Sequence, residues 1–118
     1  MKKPPTTTYR GIRVEPGERT ASPTLVYVDE KPLSPALSQK IANHSPDGFN
    51  WGYGGSGPAQ LSLALLLDYY GKDAPELRYY QAFKFRVVGA FPQEQDWALT
   101  GEQIEAAIRA INAERKSA

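Results

Sequence analysis

The chain contains no cysteine and a single histidine, His44. Disulfides and thiolate metal sites are thereby excluded, and a zinc site would have to lean on carboxylates. No metal centre and no cofactor is expected. A charge of one sign is lacking too. The 14 basic and 13 acidic residues leave a formal net charge of +1, without the field that marks a non-specific nucleic-acid binder or an acidic mimic of DNA. No run approaches the ~18 apolar residues of a membrane span. The opening Met1-Lys2-Lys3 leads into Pro4-Pro5-Thr6-Thr7-Thr8 instead of an apolar stretch, so the expectation is a cytoplasmic protein with no membrane partner. At 118 residues one domain is expected, burying about 65% of the surface its unfolded chain exposes.

What the sequence does have is a dense stretch from Gly48 to Tyr70 around which the rest is organised. An aromatic, glycine-rich loop ends at Gly57 and hands over to a helix predicted over Pro58 to Tyr70. Pro58 suits a first helical position, Gly57 is an acceptable cap, and Gln60 can reach back toward the capping backbone. Leu61, Leu63, Ala64, Leu65, Leu66 and Leu67 make the helix apolar on nearly every side, so it has to be buried. Gly71 closes it. Full burial of Leu67 is expected, with contacts from Val26 and Val28 to Leu61 through Leu67.

Around this helix, residues 1–8 read as a mobile polar tail, and residues 9–115 as the domain with a frayed end at 116–118. Tyr9 to Val14 and Thr24 to Val28 read as strands, joined by the Pro-, Gly- and Ser-containing loop Glu15 to Pro23. Asp29 to Pro32 is a turn, and Leu33 can begin a third strand. Pro35 to Ala42 reads as a short helix with Leu37 and Ile41 as its apolar face, and Asn43 to Gly48 as a run of turn formers. Asp73 with Glu76 can cap a second helix, on which Leu77, Tyr80, Phe83 or Lys84, Val87 and Phe91 trace one face until Pro92. Thr100 with Gln103 makes a capping box, Leu99 can staple against Ile104, and Ile104, Ala107, Ile108 and Ile111 form the stripe of a third helix. The fold expected is a single α+β domain. A small antiparallel sheet from the N-terminal third packs on three helices, the first long one central.

Three chemistries compete for the glycine-rich loop. Gly52 to Gly57 satisfies G-x-G-x-x-G before a helix, yet a dinucleotide site needs repeated β-α-β units that the chain lacks, and no Lys-Ser/Thr pair follows as in a phosphate-binding P-loop. Gly55-Ser56-Gly57 resembles part of a nucleophile elbow, but Pro58 stands where the second glycine of G-x-S-x-G belongs, and His44 is the one available base. No catalytic residue is assigned and no enzyme is expected. The leading reading is a structural joint, in which glycines let the backbone pack closely and Trp51 and Tyr53 set their rings beside the helix. The alternative is an anion- or nucleotide-binding protein, or an enzyme, using the Gly52 to Gln60 loop at the helix N-terminus, with Gly54, Gly55, Ser56, Gly57 and Gln60 as ligands and His44 as the ready acid or base.

The second helix interleaves Lys72, Arg78, Lys84 and Arg86 with Tyr79, Tyr80, Phe83 and Phe85. Cations among rings can bind single-stranded nucleic acid. Asp68, Asp73 and Glu76 offset that patch, so a protein interface using Trp51, Tyr53, Arg78, Tyr79, Lys84, Phe85 and Arg86 is the favoured expectation, and nucleic acid the less favoured one.

Tyr9 to Gly11, Val26 to Asp29, Asn43 to Pro46, Gly48 to Leu61, Tyr80 to Lys84 and Trp97 to Thr100 together resemble the motifs of a family of small bacterial, archaeal and phage proteins classed as a domain of unknown function. Gly48-Phe-Asn-Trp-Gly-Tyr-Gly-Gly-Ser-Gly-Pro-Ala-Gln-Leu61 is the core of the likeness. The resemblance brings no reaction and no catalytic residue. It implies a role in the conflict between mobile elements and hosts. The expectation is therefore a non-catalytic binding protein, such as an inhibitor of a host defence complex of the CRISPR type, acting through a protein surface.

Overall fold

A computed structural model describes residues 2–14, 24–46 and 48–117; the expected Glu15–Pro23 loop and Asp47 of the turn before Gly48 lie outside them. The core is a four-stranded antiparallel sheet in the order β3-β2-β1-β4. Strand β1 (Thr8–Arg13) lies between β2 (Thr24–Val28) and β4 (Trp97–Thr100), and β3 (Lys31–Pro32) pairs with β2. Tyr9 faces Val28 and Leu99, and Gly11 faces Val26 and Trp97. Period-two alternation therefore sends these six residues into the core and leaves Leu25 and Ala98 on the open face. The Trp97 indole crosses Gly11 so closely that a Cβ there would lie 2.2 Å from Trp97 Nε1.

Asp29 and Glu30 turn β2 into β3 with φ of 46° and 68°, the mirror-image geometry that follows the right-handed twist of paired strands. Neither is glycine. Side-chain ties hold the turn instead: the Thr8 N–H donates to Asp29 Oδ1 at 2.9 Å, and Arg10 donates twice to the Glu30 carboxylate at 2.9 and 2.7 Å.

The central helix, α2 (Ser56–Tyr70), begins earlier than expected, with Gly55 as its cap. It runs through the core and ends at Gly71, where φ is 97° and the N–H donates to the Leu67 carbonyl. Leu61, Leu65 and Leu66 share one buried cluster with Val26 and Val28, whereas Leu67 is only half-buried. The large truncation cost thus belongs to Leu65, which is 0% exposed. Leu65→Ala is expected to lose about 2 to 5 kcal/mol in urea unfolding, and Leu67→Ala clearly less.

Four expectations are corrected. Residues 2–8 are no free tail: the Lys3 N–H donates to the Tyr69 carbonyl, and the Thr7 and Pro5 carbonyls accept from the Gly101 and Glu102 N–H groups. These are first-turn donors of α4 (Gly101–Ser117), left without partners inside their own helix, so the segment caps α4. Ion pairs of Lys2 with Glu105 and Lys3 with Asp68 fasten it further. Second, Trp97 to Thr100 is a strand, added to the sheet from the far end of the chain; the Thr100–Gln103 capping box then starts α4 directly, as expected. Third, the second helix is broken into a 3-10 turn (Pro75–Tyr79), α3 (Tyr80–Arg86) and another 3-10 turn (Val88–Ala90). One straight helix could not bury all its rings; the breaks bring Tyr79, Phe83 and Val88 inward together and leave Phe85 outside. Fourth, α4 continues to Ser117 through the expected frayed end.

The short helix α1 (Ala36–Ile41) forms as expected but turned over. It buries only Ser38, while Leu37 is 66% and Ile41 51% exposed. The reason lies in α2. Buried Gln60 donates to Ser38 Oγ at 2.8 Å, and Ser38 donates to the Pro35 carbonyl. A buried amide has to be matched, and matching it points the apolar pair of α1 at solvent.

Candidate functional site

The loop before α2 is held from three sides. Trp51 is fully buried, edge-on to Trp97 at 5.7 Å between centroids, and its Nε1 donates to the Gln95 carbonyl at 2.9 Å. Phe91 stacks on Trp97 in turn, with centroids 4.8 Å apart. Arg13 reaches over the Trp51 ring at 4.4 Å and donates to Asn50 Oδ1 and to the Gln93 carbonyl, both at 2.7 Å. Gly52, at φ of 84°, leaves so little room that a Cβ would meet Gln93 Cα at 2.4 Å, and its N–H donates to the Val88 carbonyl. These contacts are those of a joint. Arg13 had no signal in the sequence beyond its place in a strand, and its role emerges only where the strand meets two loops.

On the other side of α2, Gln60 Oε1 accepts from the backbone N–H of His44 at 2.8 Å and of Ser45 at 3.1 Å. Gln60 therefore ties α1, the His44 turn and α2 together, and it is wholly buried, with its amide engaged on both sides. The His44 ring nitrogen Nε2 lies 2.7 Å from the Tyr80 hydroxyl, which joins the turn to α3. Of the remaining anion-site residues, Gly57 is buried, Gly55 half-buried, and Gly54 and Ser56 exposed. Beside them is a cavity of about 220 Å³ lined by Ser45, Asn50, Tyr53 and Ser56 among others. The structure thus keeps Ser56 and its neighbours at an opening and removes Gln60 and His44 from it.

The expected partner set divides in the same way. Trp51 and Tyr79 are buried; the Tyr79 hydroxyl lies between Arg78 Nη2 at 2.9 Å and Asn112 Oδ1 at 3.1 Å. Lys84 is buried too, folded back toward the Gly54 carbonyl and lying 4.3 Å from the Phe85 ring centroid. Arg86 pairs with Glu114. Phe85 at 69% and Tyr53 at 38% stay exposed, as does Arg78. The interleaved cations and rings do not form one face, because the broken helix sends them in different directions.

A larger apolar surface lies around α1. Leu37 and Ile41 are exposed on α1, which lies between a hollow of about 340 Å³ lined by Val26, Leu33, Pro35, Gln39 and Phe49 and one of about 250 Å³ lined by Leu33, Leu37, Ala64 and Leu67. Leu33 lines both. The sequence contained this signal, since Leu37 and Ile41 are one helical turn apart; what it did not contain was their direction.

Among the described residues no group of three or more His, Asp or Glu could hold a metal ion, and no helix is long and apolar enough to cross a membrane. No curated protein and no solved structure matches the chain. A family model does match, over residues 9–110, spanning β1 through most of α4 and including the joint, the His44 turn and the α1 ridge. The chain belongs to a family of unknown function, DUF6166.

Proposed function

We propose that the protein is a non-catalytic binding protein whose contact surface for another protein is the α1 ridge. The observation that carries this reading is the exposure of Leu37 and Ile41, 66% and 51%, on a helix that buries one serine. Large apolar side chains exposed together and rimmed by polar residues mark interaction sites. The ridge also takes over the role first expected of the α3 region, where Trp51, Tyr79 and Lys84 are committed to the interior.

The narrower form of the proposal, inhibition of a host defence complex, is supported by the resemblance of the Gly48 to Leu61 motif to that of a family that includes phage proteins. A net charge of +1 favours a protein surface over mimicry of DNA. The test is capture of a partner by the wild type and by the double variant Leu37→Asp with Ile41→Asp. Loss of anchor residues is expected to weaken binding by at least about 30-fold, corresponding to about 2 kcal/mol. The thermal midpoint should stay near that of the wild type, because both side chains already face water. Undiminished capture by a folded double variant would refute the reading.

The second reading, an anion or nucleotide site at Gly54 to Ser56, is supported by the 220 Å³ cavity beside the first turn of α2. A nucleotide at 100 times its dissociation constant would add about 2.7 kcal/mol to stability. A thermal-shift series with nucleotides and inorganic phosphate separates the two readings, and the protein-surface reading expects no shift that depends on Ser56.

A further inference from the structure

A cleft of about 520 Å³ opens between the N-terminal segment, the end of α2, the Pro75–Tyr79 turn and α4, within the size range of small-molecule sites. It shares no lining residue with the α1 hollows or with the cavity beside Ser56. Two guanidinium groups, of Arg78 and Arg109, line it. Arg78 donates to the Tyr79 hydroxyl and lies 4.9 Å from that ring centroid, with no carboxylate partner among the described residues, and the exposed Arg109 comes only within 4.0 Å of Glu105. Glu105 is already engaged by Lys2 at 2.8 Å and by the Tyr69 hydroxyl, so its charge is largely answered. Asn112 spends its Oδ1 on Tyr79 and keeps its amide NH₂ as a donor at the cleft. The apolar part of the wall comes from Tyr70, Pro75 and Ile108.

We propose that this cleft binds a small planar organic anion, a flat ring carrying one carboxylate or phosphate group, with Arg78, Arg109 and Asn112 on the anionic group and Tyr70, Pro75 and Ile108 against the ring. Forked guanidinium donors match carboxylate and phosphate oxygens two at a time. Glu76, which also lines the cleft, repels longer polyphosphates and sets the preference for a single anionic group. Burial, and after it the charges of Glu76 and Glu105, push the Tyr70 phenol up to about 12, so it remains a hydrogen-bond donor at neutral pH.

The test is a titration of the full chain, followed by amide chemical shifts, with adenosine 5′-monophosphate and salicylate as probes and adenosine and ATP as controls. Saturable shifts at Arg78, Tyr79, Arg109 and Asn112 are expected with at least one probe. Whether the phosphate or the carboxylate probe binds tighter tells which anion the site takes. Adenosine and ATP should each bind at least about 10-fold more weakly than the better probe, as should that probe to the double variant Arg78→Gln with Arg109→Gln, since losing charge-assisted hydrogen bonds costs about 1.5 kcal/mol or more. The variant should keep the wild-type midpoint and its α1 contacts, which separates this result from failure of the protein-surface reading. No shift with either probe at millimolar concentration, equal binding of adenosine, or undiminished binding by the folded variant would overturn the proposal.

Discussion

Trp51→Ala is expected to cost about 3 to 5 kcal/mol of folding stability, the range for emptying a large buried aromatic site. The side chain is fully buried, and its loss removes the edge-on partner of Trp97, the ring beneath Arg13 and the donor to the Gln95 carbonyl. The Arg13 guanidinium would then bridge Asn50 and the Gln93 carbonyl across a void. Equilibrium urea unfolding measures the effect. A loss below about 1 kcal/mol would mean that the glycine-rich loop does not depend on its tryptophan and is not the joint described here.

Gln60→Ala is expected to follow closely, at about 3 kcal/mol. Removing the amide strands the His44 and Ser45 N–H groups and withdraws a donor from Ser38; each unmatched buried polar group costs about 1 to 3 kcal/mol. The local consequence is as diagnostic as the global one. Amide exchange at His44, Ser45 and the α1 residues should accelerate first, because Gln60 is the tie that holds them to α2. If the exchange pattern of α1 is unchanged in the variant, Gln60 does not set the orientation of the ridge. An anion-binding Gln60 would behave in the opposite way, with a small stability change and a large loss of ligand affinity.

The α+β architecture and the central helix were legible because they rest on strong local signals: β-branched strands, a leucine run, and Gly71 at the helix end. The capping box of Thr100 and Gln103 was legible for the same reason. Strand β4 was hidden because its partner, β1, lies at the opposite end of the chain, and four residues carry too little periodicity to announce a strand. The N-terminal segment reads as a tail by composition, and only the unpaired N–H groups at the start of α4 give it a place. At the candidate site, residue types were recognised but their directions were not. A lysine among rings reads as exposed until its helix is seen to turn it back on Gly54, and a glutamine in the first turn of a helix reads as a cap until Ser38 and the His44 turn close around it. The apolar pair of α1 reads as one face of a short helix, and the burial of Ser38 decides which way that face points.

The most direct test of the binding-protein account is site-specific photo-crosslinking in cells, with a photoreactive phenylalanine analogue placed at position 37 on the α1 ridge or at position 53 beside the glycine-rich loop. The account predicts discrete protein adducts from position 37 and none from position 53. Adducts from position 53 with none from position 37 would contradict it.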